Sequence, residues 1–198
     1  KKNLVRQIKE NFEYRYNIDL EVYRNIINSK YFETIFTINF DGILENNFSD
    51  KIEKITPYEM KEISDNKIGY YKFLGDIASI GTVFISSQDI RKLKTLDFYT
   101  EFFQKVREQF TLRPTLFLGV NLEDSDLLNI LDFILTPIKD LQSIYMVTST
   151  TIISSKSAEL ISKYNIKLIT SGTKDFIDYF KELSESENKV LTEKKFVW

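Results

Sequence analysis

From Thr115 onward the sequence alternates three times between a short apolar run and a longer stretch whose apolar residues recur at helical spacing. Thr115-Leu116-Phe117-Leu118-Gly119-Val120 is nearly continuous in its apolarity, as a strand covered on both faces must be. Asn121 and Asp124 come next, and Asp124 or Ser125 is placed to cap a helix with Leu127, Leu128, Ile130, Leu131, Phe133 and Ile134 on its inner face. Residues 143–148 then read as a strand and 154–164 as a helix, followed by a strand at 166–170, a turn at Gly172 and a helix over 173–183. Strands alternating with helices at this spacing call for right-handed crossovers, and those produce a parallel sheet. The expected fold class is α/β, a three-layer Rossmann-like parallel sheet with helices on both faces.

The first half fits the same scheme with more interruption. Leu4, Val5, Ile8 and Phe12 predict an amphipathic helix over 3–14, and Asp19-Leu20-Glu21 opens a second with Val22, Tyr23, Ile26 and Ile27 inside. Residues 33–38 are β-prone, and further short strands are expected near Ile55, at 70–74 and at 82–85. Residues 46–69, with Pro57, Ser64, Asp65, Asn66 and Gly69, otherwise read as an excursion loop. Between Gln88 and Phe110 the aromatic and aliphatic residues recur among charges, which predicts one long helix or two shorter ones with the rings in the core. Residues 1–183 are expected to form one domain that lacks its first strand and glycine-rich loop, and 184–198 a charged tail or linker to a further domain. Both ends read as cut from something longer, removal of an initiator being the plainer account of Lys1.

Composition removes several function classes. The 198 residues carry 27 basic and 29 acidic side chains in even mixture, so no basic field exists for a nucleic-acid backbone. No apolar run approaches the ~18 residues of a spanning helix, and no signal pattern opens the chain, so a cytoplasmic protein with no membrane partner is expected. Cysteine is absent, which rules out a disulfide framework, a thiolate zinc site and a thiol nucleophile. Histidine is absent too. Proton transfer would therefore fall to Asp, Glu, Lys, Tyr or water.

The chemistry-bearing stretch is Thr37-Ile38-Asn39-Phe40-Asp41-Gly42. A strand closed by an amide, an acid and a glycine sets those groups at its carboxyl edge, where open α/β sheets bind ligands. Asn39 can donate and accept hydrogen bonds while an ionised Asp41 only accepts, so the pair is able to grip a ribose or orient a water. The usual glycine-rich dinucleotide turn is missing. Asp124 and Asp126 at a helix start read as cap and dipole partners rather than a metal pair, and no metal is expected. Thr148-Ser149-Thr150-Thr151 with Ser154-Ser155 forms a hydroxyl-rich turn, without a base beside it for nucleophilic catalysis.

Four segments in order carry a resemblance. Residues 37–45 resemble the Thr-x-Asn-x-Asp signature of the sirtuin superfamily and its bacterial sirtuin-like relatives, in which the asparagine and aspartate face the nicotinamide ribose. Lys72-Phe73-Leu74-Gly75-Asp76 is similar to the family's Lys-x-His-Gly, Phe84 to Asp89 to the segment after it, and Leu116 to Asp124 to the Phe-x-Gly-x-Ser-x-x-Asp stretch on the adenosine side. The departures are Leu74 at the position of the catalytic histidine, Asn121 in place of a serine, and no four-cysteine zinc set of the protein-deacylating branch.

The resemblance implies NAD as cofactor, with Asn39 and Asp41 as catalytic positions and Thr37, Asn39, Asp41, Gly75, Gly119, Asn121 and Asp124 as cofactor-binding ones. It also implies a bacterial domain of the NAD-hydrolase, anti-phage type, not a zinc-containing deacylase, with other domains of the same protein and a homo-oligomer as partners. Because Leu74 cannot act as a base, the expectation is a degenerate, catalytically impaired domain that binds a nucleotide of the NAD or ADP-ribose type or serves in assembly. Two other readings stay open. One is an active NAD glycohydrolase that works through Asn39 and Asp41 without a histidine, and the other is a purely structural interaction domain.

Overall fold

The computed structural model describes residues 3, 6, 7, 10, 20–121, 123–150 and 153–194. Leu4, Val5, Ile8 and Phe12 of the expected first helix lie outside the described residues, as do Asp19, Leu122, Thr151 and the terminal Phe196-Val197-Trp198. The architecture is α/β and Rossmann-like, with parallel strands in three-stranded sheets flanked by helices. The chain falls into two compact units, one built mainly from Phe32–Leu112 and Asn129–Leu141, the other from Arg113–Leu128, the preceding segment Asp19–Tyr31 and the chain from Gln142 onward.

In the first unit β1 (Thr34–Thr37), β2 (Ile52–Ile55) and β3 (Ile68–Lys72) pair in the order β1-β3-β2, all parallel. Phe36 lies opposite Tyr71, with ring centroids 5.4 Å apart. Side chains alternate across a strand, so Phe36 and Tyr71 share one face, with Phe73 just beyond β3. That face is covered by α4 (Asp97–Leu112): the Phe110 ring stacks on Phe36 at 5.5 Å, and Phe102 meets both Tyr71 and Phe73. Such ring pairs contribute about 0.5–1.5 kcal/mol each beyond their buried area. The opposite face, with Tyr70 and Lys72, is met by α2 (Ile43–Phe48), whose Glu45 reaches Lys72.

The helical run after Gln88 resolves into two helices, α3 (Ser87–Leu93) and α4. Ser86 opens α3 with a capping box, its side chain accepting from the Asp89 N–H while the Asp89 carboxylate accepts from the Ser86 N–H. That cap corrects the expected strand at 82–85. Residues Ile80–Thr82 form a 3₁₀ turn, and Phe84 makes one bridging bond, to the Leu74 carbonyl at 3.0 Å, before the helix begins. The apolarity of this run serves packing, since Val83 is fully buried. The helix α2 also interrupts what the sequence offered as loop, and the short strand expected near Ile55 is β2.

In the second unit β4 (Thr115–Phe117), β5 (Ile144–Thr148) and β6 (Lys167–Thr170) pair in parallel in the order β4-β5-β6. The central strand supplies Ile144, Met146 and Val147 to the core. α7 (Thr173–Lys194) packs on β5, and α1 (Glu21–Asn28) packs on α7. The edge between Tyr31 and Phe180, 5.4 Å apart, closes that contact. α7 continues through the charged stretch read as tail or linker. Glu, Lys, Ser and Asn without Gly or Pro leave no signal to stop a helix there. The two remaining helices are α5 (Ser125–Leu135) and α6 (Ser155–Lys163). Among the described residues no helix is long and apolar enough to cross a membrane.

Candidate functional site

The three strands of the first unit are parallel, so their carboxyl ends meet at one edge of the sheet. The segment after β1 carries Asn39 and Asp41 to this edge, and the segment after β3 carries Leu74, Gly75 and Asp76 to it. Thr37 shapes the first turn, its Oγ1 accepting the Asn39 N–H at 3.0 Å. The Asp41 Oδ1 accepts the Ile43 N–H at 3.0 Å, which closes an Asx-turn into α2. Asn39 is exposed and Asp41 half-buried. The two segments are laced together by main-chain bonds, Phe73 N–H to the Thr37 carbonyl at 3.0 Å and Ile77 N–H to the Phe40 carbonyl at 2.8 Å.

Gly75 has φ +91° and is packed against the backbone of Thr82 and Val83. Only glycine satisfies both conditions. The turn therefore holds its neighbours in one arrangement: Leu74 is 8% exposed, and Asp76 is 4% exposed. The leucine side chain offers no proton-accepting atom, so at this place in the turn it contributes packing alone.

The polar centre of the edge is one that sequence reasoning passed over. Lys72 is fully buried, and its Nζ donates to the Asp41 carbonyl at 2.5 Å, to Glu45 Oε1 at 2.5 Å and to the Phe40 carbonyl at 3.5 Å, with Asp76 Oδ1 at 3.6 Å. Asp76 in turn pairs through Oδ2 with Lys54 of β2, and its Oδ1 accepts the Ala78 N–H at 2.9 Å. Burial alone would raise the Asp76 carboxyl. The Lys54 hydrogen bond, the Ala78 N–H and the charges of Lys72 and Lys54 outweigh it and hold that carboxyl below the ordinary carboxylate range. Two cations and two anions thus compensate one another, as buried charges must. The signal was legible: a lysine between Tyr71 and Phe73, in an apolar strand, is a charge that has to be paired.

Above the aromatic face, the buried Tyr99 hydroxyl donates to the Phe73 carbonyl at 2.7 Å. Burial, with the neighbouring Tyr58, pushes its phenol far above the usual range, so it remains a donor at any physiological pH. It anchors the end of β3 from which the Leu74-Gly75-Asp76 turn leaves.

Gly119, Asn121 and Asp124 belong to the second unit. Gly119 adopts φ +65° with open space where a Cβ would stand. Asn121 Oδ1 accepts the Glu123 N–H at 3.0 Å, and Asp124 Oδ1 accepts the N–H groups of Asp126 and Leu127 at 2.9 and 3.1 Å. Asp124 is therefore the cap of α5, with the cap-and-dipole role expected of an acid there. The hydroxyl-rich turn after β5 is also local chemistry: Thr148 Oγ1 accepts the Thr150 N–H, and Ser154 caps α6 by accepting the Ser157 N–H. Among the described residues no group of three or more acids gathers as a metal site would need.

The sequence profile of the SIR2-like domain matches residues 33–169, well over half of the chain, from β1 to all but the last residue of β6. The chain belongs to the SIR2-like family. A search of curated proteins found no match. The family assignment agrees with the resemblance carried by the Asn39–Asp41 and Lys72–Asp76 segments, both of which lie inside the matched range.

Proposed function

We propose that this chain is a degenerate sirtuin-like domain that binds a nucleotide of the NAD or ADP-ribose type at the carboxyl edge of β1 and β3, with catalysis impaired. In this reading it serves as a binding or assembly module of a larger, cytoplasmic, bacterial defence-type protein that self-associates. The observation that carries the proposal is the buried Leu74, followed in its turn by a glycine at φ +91° and an aspartate held in an ion network. Asn39, exposed at the strand end, offers its amide to a ribose, and Asp41 keeps a second carboxylate oxygen beside the one spent on Ile43. Gly119, Asn121 and Asp124, in the second unit, remain proposed nucleotide contacts by resemblance alone, and the Asn121 and Asp124 side chains also serve local turns.

Loss of a positioned general base typically costs ~10²–10⁴-fold in rate, while binding through hydrogen bonds to ribose and phosphate does not depend on that base. Calorimetric titration with NAD and ADP-ribose, followed by an overnight NAD-consumption assay, separates the outcomes. Saturable binding without consumption is the expected result. Consumption by the wild type would instead support a glycohydrolase that positions water through Asn39. Absence of binding to both nucleotides would leave a structural interaction domain.

A further inference from the structure

The four-charge cluster behind the candidate site contains one group whose bonds go mostly to main chain. Lysine has three N–H donors and no acceptor. For Lys72 one donor goes to Glu45 and one to the Asp41 carbonyl, and the third lies between the Phe40 carbonyl and Asp76. Two of those partners are consecutive carbonyls of the segment that carries Asn39 and Asp41. The polar side chains of this segment do not tether it to the rest of the edge, because Thr37 Oγ1 and Asp41 Oδ1 bond only within the segment.

We infer that Lys72 is a positioning residue, holding the Phe40 and Asp41 carbonyls from beneath so that Asn39 and Asp41 stand in one arrangement at the sheet edge. Its strand supplies the rigidity for this. β3 is the central strand, paired on both sides, and Lys72 is its last residue. The ion pairs to Glu45 and Asp76 aim the ammonium in a place water does not reach, and Lys54 completes the charge balance through Asp76. A buried ammonium must satisfy all three donors, and Lys72 finds two of its acceptors in the Phe40–Asp41 main chain. The Ile77 N–H, which binds the Phe40 carbonyl from the turn after β3, gives the same segment a second tether and a readout.

The part of this inference that concerns ligand affinity rests on the nucleotide-binding reading, whereas the part that concerns the loop does not. Amide hydrogen exchange and calorimetry on Lys72→Met and Lys72→Arg test both. In Lys72→Met the Ile43 and Ile77 amides are expected to exchange at least about tenfold faster while amides of β4–β6 keep their wild-type rates, and Lys72→Arg restores part of that protection. ADP-ribose affinity falls in parallel by about tenfold or more. Should Lys72→Met fail to fold, Glu45→Gln/Lys72→Met removes the stranded carboxylate and is read the same way. Wild-type exchange at Ile43 and Ile77, acceleration spread evenly over β1–β3, or failure of the double variant to fold would each overturn the inference. If the wild type binds neither NAD nor ADP-ribose, the nucleotide reading falls and the exchange result alone decides the role of Lys72.

Discussion

Replacing Gly75 by alanine places a methyl group in the tightest part of the candidate site, and the cost can be worked from the surrounding atoms. A Cβ built there lies 2.5 Å from the Thr82 carbonyl carbon, 2.8 Å from Val83 Cα and closer still to the Thr82 oxygen. All are backbone atoms, so no flexible side chain can swing away. Holding an L-residue at φ +91° costs about 1–3 kcal/mol, and forcing the turn apart adds roughly 1–3 kcal/mol as in other overpacked sites. The loss of glycine's freedom in the unfolded chain returns about 0.4–1 kcal/mol. The net is roughly 1–5.5 kcal/mol of destabilisation. Two other glycines separate the contributions. Gly119 has φ +65° but nothing within 4 Å of its Cβ position, so Gly119→Ala pays the conformational cost alone, about 1–2 kcal/mol. Gly81 has open space and no positive φ, so Gly81→Ala is neutral or slightly stabilising. Urea unfolding followed by far-ultraviolet circular dichroism ranks the three at 25 °C. If Gly75→Ala falls within about 1 kcal/mol of Gly81→Ala, the account of a rigid turn holding Leu74 and Asp76 is wrong.

Two further predictions concern the same edge. The Asp76 carboxyl is held below its ordinary range in the folded state, so the unfolded state binds the extra proton: its stabilisation is complete above the unfolded value of about 3.9 and is lost as pH falls through the folded value. Asp76→Asn should lower stability at pH 7 by about 1.5–3 kcal/mol and flatten the acid limb of a melting-temperature profile taken between about pH 5 and 2, and an unchanged acid limb would deny Asp76 that role. Tyr99→Phe leaves the buried Phe73 carbonyl without its Tyr99 donor and should cost about 1–3 kcal/mol in urea unfolding. A change under about 0.5 kcal/mol would show that the bond does not anchor the strand end.

How far the sequence could be read depended on whether a signal was local. The β4-β5-β6 sheet and its helices were legible because each strand is a short apolar run and each helix has a periodic face and a cap. Asp124 illustrates this, with a capping acid three residues ahead of Leu127. The expected strand at 82–85 failed because apolar β-prone residues also fill turns: Val83 is buried, but Ser86 starts α3 before a ladder can form. The helix at Ile43–Phe48 was hidden by its length, since six residues show little more than one period, and two asparagines weaken its propensity. The α7 extension past Leu183 was hidden by its polarity, because exposed helix and polar linker share a composition.

The candidate site was legible in its motif residues and not in its support. Thr37, Asn39, Asp41 and Gly75 lie at one sheet edge as the motif order implied. The Glu45–Lys72–Asp76–Lys54 cluster spans 32 residues of sequence and exists only once β1-β3-β2 is assembled. Sequence alone marks Lys72 as a buried charge in need of a partner; the register of the strands decides which partner it finds.

The central claim is that the site retains its binding groups and lacks its base. NAD consumption by the wild type and by Leu74→His, measured side by side at equal concentration and long incubation, tests it most directly. The account predicts no consumption above buffer for the wild type and measurable turnover for Leu74→His, with a gain of up to ~10²–10⁴-fold. Equal consumption by the two proteins would contradict it, because the residue at position 74 would then have no part in the chemistry.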